Sequence, residues 1–254
     1  MEKLLLESEN GVSTITFNRP ESYNALDLDM IRQLTDYLKQ VEQNNDRVLI
    51  LTGSGKAFSA GGDVKMMKDL NKDLFDEMMD ALTEIAITLY SMPKVVISAV
   101  RGSAAGLGLS IALAADYVVA QNQAKFGMLF AGIGLIPDGG GHFFLQERLG
   151  TNQAKQFIWS MEQVDAKQAQ SLGLADVIAE DELEEAKNLA TKTLFSPFKA
   201  IIRSKEILHE EKLPLLKKML QLEKEGQLMA AETEDHQEGV QAFAEKRMPQ
   251  FKGK

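Results

Sequence analysis

Apolar runs of strand length alternate with helical stripes along this chain, and each change of period falls at a turn signal. Residues 4–8 and 12–17 read as two short strands around the turn Glu9-Asn10-Gly11. Residues 27–41 carry Met30, Ile31, Leu34, Tyr37, Leu38 and Val41 on one face, which predicts an amphipathic helix with Asp27 as its N-cap. Residues 48–52 are a fully apolar strand, followed by a glycine-rich turn over 53–63 and a helix starting near Asp63. Residues 68–92 are mostly helical in pattern. Residues 95–100 form another buried strand that breaks at Arg101-Gly102. Gly106 and Gly108 then flank Leu107, and residues 109–115, small and apolar all round, read as a buried helix. A third strand–turn–helix element covers 126–149, with its glycine-rich joint at 132–142. Further helices are predicted over 166–172, 182–194, 199–209, 213–229 and 235–246, with one last strand at Val177-Ile178. The recurrence predicts stacked α/β units, with a helical layer after Pro197 that packs on the core or on another subunit.

The three glycine-rich joints carry the candidate chemistry. The first turn of a helix has backbone N–H groups without intrahelical acceptors, and glycines beside it let another molecule approach closely. Such a joint can hold an anion or a developing oxyanion, or can simply be a tightly packed strand–helix junction. The spacing Gly102, Gly106, Gly108 is not a dinucleotide fingerprint. The run Gly53 to Gly62 lacks both the first glycine and the hydroxyl residue of a phosphate loop. Asp138, between Pro137 and three glycines, is either a helix N-cap or a general acid/base whose apolar neighbours raise its pKa. His142 reads as a packing or surface residue. Met66, Met67, Met78, Met79 and Met92 are either ordinary core or the wall of an acyl-chain tunnel.

Composition narrows the field. The 254 residues carry a formal net charge of -9, which argues against nucleic acid as the main partner. The absence of Cys excludes disulfides, thiol nucleophiles and thiolate metal sites. No apolar run has membrane-spanning length and the N-terminus is too acidic for a signal peptide, so the expected location is the cytoplasm, with no membrane partner.

Six ordered motifs resemble the crotonase, or enoyl-CoA hydratase/isomerase, superfamily. They are N-R-P-E-S-Y-N-A-L at 18–26, F-S-A-G-G-D at 58–63, G-S-A-A-G-L-G at 102–108, A-K-F-G at 124–127, G-L-I-P-D-G-G-G at 134–141 and A-F-A-E-K-R at 242–247. The resemblance covers essentially the whole chain. It implies an α/β fold, the crotonase (ClpP-like) spiral of β-β-α units with a helical C-terminal part. Residues 1–196 would be the acyl-CoA-binding core and 197–254 a trimerisation region, giving a homotrimer or a homohexamer of two trimers. It implies a substrate carried as a coenzyme A thioester, with no other cofactor and no metal. By motif, the thioester oxygen would be held by the backbone N–H groups of Gly62 and Leu107. Coenzyme A would lie along Ala60, Gly62, Asp63, Val64 and Lys65, with Phe243 and Lys246 reaching it from a neighbouring subunit.

Hydratases of this family activate water with two glutamates, and those positions here hold Ser110 and Phe130. A hydroxyl and a phenyl ring cannot deprotonate water as a carboxylate pair does. The G-L-I-P-D-x-G-G run is similar to that of the ring-epoxide and Δ3,Δ2-enoyl-CoA isomerases of phenylacetate catabolism, whose acid stands where Asp138 does. The first expectation is therefore a 3-enoyl-CoA to 2-enoyl-CoA isomerase using Asp138. The alternatives are a 2-enoyl-CoA hydratase with a differently held water, and a non-catalytic acyl-CoA-binding protein.

Overall fold

The computed structural model describes residues 2–67 and 71–254, so part of the Met-rich stretch expected to be helical, residues 68–70, lies outside the described residues, as does the side chain of Met67. The chain opens with the hairpin β1 (Leu4–Glu9) and β2 (Val12–Phe17), then α1 (Leu28–Gln43), whose N-cap Asp27 accepts from Met30 N. Three further turns of the spiral follow. The first is β3 (Val48–Gly53), β4 (Ala57–Ser59), the short α2 (Val64–Met67) and α3 (Lys72–Ser91). The second is β5 (Val95–Val100), β6 (Ser103–Ala105) and α4 (Leu107–Leu113). The third is β7 (Tyr117–Gln121), β8 (Lys125–Gly127), a 3-10 turn (Leu129–Ile133) and α5 (Gly141–Leu149). After them come α6 (Thr151–Ser160), β9 (Val164–Asp165), α7 (Ala166–Leu172), β10 (Val177–Ala179), α8 (Glu182–Leu194), α9 (Phe198–Glu210), α10 (Leu213–Ala231) and α11 (Glu234–Glu245).

Each turn after the first sends its first strand to one sheet and its second strand to another. The long strands form a sheet in the order β1-β2-β3-β5-β7-β10, and the short ones a sheet in the order β4-β6-β8-β9. The spiral of β-β-α units is thus the observed fold. The long sheet is covered on both faces, which is why β3 and β5 read as unbroken apolar runs. Leu49, Leu51, Val96 and Val100 enter the main core under the helices, while Val48, Ile50, Val95 and Ile97 pack against Ala186 and Ala190 of α8 and Ile202 of α9. No described helix is long and apolar enough to cross a membrane.

The helices after Pro197 return to this chain's own core: α9 and α10 pack on α3, and α10 also packs on α5. Leu216, Leu220, Glu223 and Gln227 of α10 are all buried.

The N-terminal motif acts as a clamp on the first glycine turn. Asn24 is fully buried and left-handed (φ 58), with its side chain donating to Ser54 O (2.9 Å) and Ala57 O (2.7 Å) and accepting from Arg19 N (2.8 Å). Its carbonyl takes the Ser59 hydroxyl at 2.8 Å. Replacing Asn24 with Ala strands these groups and puts in a left-handed backbone a residue that adopts it less readily than asparagine. We expect a loss of about 2–4 kcal/mol, read as a lower urea midpoint with an unchanged slope.

Candidate active site

The first joint ends in Gly61 and Gly62. Leu26 N donates to Gly61 O (2.8 Å) and Asp63 N to Leu26 O (2.9 Å), a parallel bridge centred on Gly62. That pairing aims the N–H of Gly62 away from the Leu26 segment, because successive peptide groups of an extended chain point to opposite sides. The second joint ends in Gly106 (φ 52), and the helix begins at Leu107, two residues earlier than its apolar pattern suggests. The N–H of Leu107 is a first-turn group without an intrahelical acceptor. Among the described residues, neither Gly62 N nor Leu107 N donates to a backbone acceptor outside the helices and strands. The two joints touch. A β-carbon on Gly61, whose φ is +98, would lie 3.3 Å from Leu107 N and 2.7 Å from Ala105 O, so only glycine lets the turns come this close.

The third joint lies on the second. A β-carbon on Gly139 would sit 2.7 Å from Leu107 Cδ1, and one on Gly141 2.7 Å from Ser110 Oγ. Asp138 is thereby held beside the start of α4, and its side chain is buried with 5% exposure. Its Oδ2 accepts from Gln227 Nε2 at 2.8 Å, and its Oδ1 has no partner among the described residues. Burial pushes the carboxyl up to about 7. The Gln227 bond pulls it down and the charge of Glu223 pushes it up.

The N-cap alternative for Asp138 is overturned. The cap position of α5 is Gly140, which receives no side-chain bond from Asp138. The carboxylate at this helix start comes from α10: Glu223 accepts from Gly140 N (2.8 Å), His142 N (2.9 Å) and His142 Nδ1 (2.9 Å). His142 is half-buried by that bond, in line with a packing role.

Ser110 and Phe130 stand where the resemblance places the two hydratase glutamates. Ser110 is fully buried beneath Gly139 and Gly141, its hydroxyl without a partner among the described residues. The Phe130 ring lies over Gly106, 3.7 Å from where a β-carbon would be.

The run expected to carry coenzyme A divides in two. Asp63 is committed to Arg19 Nη1 (2.8 Å) and to Lys65 N (3.0 Å) at the start of α2. Ala60 and Lys65 are exposed and Val64 is half-buried. Phe243, 59% exposed, and Lys246 stand at the far end of α11, which packs on the 3-10 turn and α10.

Beside Asp138 opens a cavity of about 700 Å³, with Phe75, Met78, Leu135, Gln227 and Val240 in its wall. Gly62 and Leu107 do not line it. Of the methionines singled out by the sequence, Met79 and Met92 are core, and Met78 is buried and also lines this cavity. Gln227 and Glu223 escaped the sequence-based reading. The signal was there: they continue the stripe Leu216, Leu220 at helical spacing, and polar residues on an apolar stripe need partners.

The sequence profile of the family described as Enoyl-CoA hydratase/isomerase matches residues 7–254. YhaR of Bacillus subtilis is 42% identical over 253 residues, covering 99% of both chains. The 1,2-epoxyphenylacetyl-CoA isomerase of Escherichia coli is 37% identical over 264 residues, covering 100% of both. A crystal structure of an enoyl-CoA hydratase from Mycobacterium avium subsp. paratuberculosis superposes with a TM-score of 0.90 at 30% identity, over 99% of each chain. With the profile matched over nearly the whole chain and relatives of 37% and 42% identity matched over their full length, this chain belongs to the enoyl-CoA hydratase/isomerase family.

Proposed function

We propose that the protein moves the double bond of a 3-enoyl-CoA into conjugation, giving the 2-enoyl-CoA, with Asp138 as the single acid/base. Asp138 takes a proton from C2. The electron pair shifts into the C1–C2 bond and the carbonyl electrons move onto the thioester oxygen, where the N–H groups of Gly62 and Leu107 receive the charge. The oxygen then re-forms the carbonyl, the C1–C2 π pair moves to C2–C3, and the C3–C4 π pair takes the proton back from Asp138 at C4. Nothing is added and nothing leaves, so one carboxyl suffices. Each N–H donor contributes roughly 3 kcal/mol in the transition state.

The observation that carries this reading is a buried carboxyl, poised at about 7, with one oxygen that has no partner among the described residues, while Ser110 and Phe130 stand at the two positions expected for hydratase glutamates. Coenzyme A along Ala60 to Lys65 belongs to the same reading, as does assembly into a trimer or a pair of trimers that brings in Phe243 and Lys246. The exposed apolar side chains of Met229, Phe243 and Met248 support that assembly, and a solution mass of a single chain would remove it.

The test is a side-by-side assay of 3-enoyl-CoA isomerisation and crotonyl-CoA hydration across pH. Isomerisation should be the faster reaction. Because the ionised carboxylate is the active base, its kcat/KM should rise with pH and level off above about 7. Faster hydration, or isomerisation that falls through that range, would sink the proposal.

A further inference from the structure

Helix α10 approaches the Asp138 loop unusually closely, and it does so at a glycine. A β-carbon on Gly226 would lie 2.6 Å from Ile136 Cδ1. Glycine weakens a helix relative to alanine, and here it leaves room for the end of the Ile136 side chain. The approach brings two polar side chains, each only 2% exposed and one helical turn apart, onto the two sides of Asp138. Gln227 spans the Pro137 bend, its Oε1 accepting from Ile136 N (3.3 Å) and its Nε2 donating to Asp138 Oδ2 (2.8 Å). Glu223 holds the backbone just after the aspartate through Gly140 N and His142 N.

We propose that Gln227 and Glu223 are positioning residues for the reaction: Gln227 occupies Oδ2 so that Oδ1 of Asp138 is the oxygen that exchanges the proton, and Glu223 fixes the loop that carries it. The inference rests on the isomerase reading and adds to it which carboxyl oxygen reacts and what holds it. A carboxylate free to rotate presents either oxygen at any angle. One pinned by an amide that is itself anchored to Ile136 N presents a single lone-pair direction. The pair also acts on charge, in opposite senses. The Gln227 N–H stabilises the ionised form of Asp138, and the Glu223 carboxylate opposes it. Among the described residues, the other ionisable groups around the aspartate are His142, bonded to Glu223 from α5, and His236 and Glu245 on the α11 side of the cavity, while α3 contributes the apolar Phe75 and Met78 there.

The experiment measures kcat/KM for 3-enoyl-CoA isomerisation against pH in wild type, Q227L, Q227M and E223Q, together with the affinity of each for butyryl-CoA, a saturated thioester that cannot isomerise. In the two Gln227 variants the midpoint should move up by about one pH unit and kcat should drop about tenfold, with butyryl-CoA affinity within threefold of wild type. In E223Q, where the charge is lost and the side chain can still accept a bond, the midpoint should move down. A purely structural role would lower activity and affinity together and leave the midpoint in place. An unmoved midpoint in the variants that bind butyryl-CoA overturns the inference, as does a downward shift in Q227L. Should one variant fail to fold, the sign of the shift in the others decides. The two claims fail separately: an active D138N removes the isomerase reading, whereas an inactive D138N beside a Q227L midpoint equal to wild type removes only the role of Gln227.

Discussion

D138N should lose 3-enoyl-CoA isomerisation by about a thousandfold or more while retaining wild-type affinity for a saturated acyl-CoA. The asparagine is isosteric, and its amide oxygen can accept the Gln227 bond that Oδ2 accepts now. What it cannot do is take a proton from C2 and return it to C4. The same substitution should stabilise the fold, and the sign follows from the titration. In the folded chain Asp138 titrates at about 7, whereas in the unfolded chain it titrates near the ordinary aspartate value of 3.8. The stability contribution is therefore fully present below about 4 and is lost as pH rises to about 7, leaving the wild type with a buried charge above that. D138N carries no such charge. Its melting temperature should exceed that of wild type by several degrees at pH 8, and the difference should close toward pH 4. Loss of activity without the gain in stability would mean that the carboxyl is not desolvated as the structure has it.

The second large effect is expected at Gly61. In G61A the new methyl would meet Ala105 O at 2.7 Å and Leu107 N at 3.3 Å, in a backbone conformation with φ +98 that alanine rarely adopts. The contacts are with backbone, so the two turns must separate, which moves apart the N–H groups of Gly62 and Leu107 that the proposed mechanism pairs. Losing one donor's alignment should lower kcat by about 10²–10³-fold, and the strained φ should cost about 1–3 kcal/mol of stability. G132A is the matched control. A β-carbon there meets nothing within 4 Å, and its activity and melting temperature should equal those of wild type. A fully active G61A would separate the glycine turns from catalysis.

Much of this architecture was legible before any coordinates. The hairpin, the long strands β3 and β5, the capped helix α1 and the helices after Ala166 follow from apolar period, N-caps and turn residues, because each of those signals is local. The short sheet was not read from pattern. Its strands β4, β6 and β8 span three residues each, too few to show a period of two, and residues 103–105 look like part of a turn. The candidate residues Gly62, Leu107 and Asp138 were legible as motifs, and their three joints lie against one another. Their surroundings were not legible. The N-cap reading of Asp138 was removed by Glu223, more than eighty positions away along the chain, which takes the bond from the helix start. A contact of that range leaves no trace in local spacing. It leaves only the anomaly of a Glu and a Gln on the buried stripe of α10.

The most direct test of a single carboxyl moving one proton is to supply a 3-enoyl-CoA carrying deuterium at both C2 positions and to analyse the product by mass and NMR. The account predicts a 2-enoyl-CoA in which part of the deuterium removed from C2 is recovered at C4, and no oxygen is gained. A product without deuterium at C4 and with a hydroxyl at C3 would contradict it.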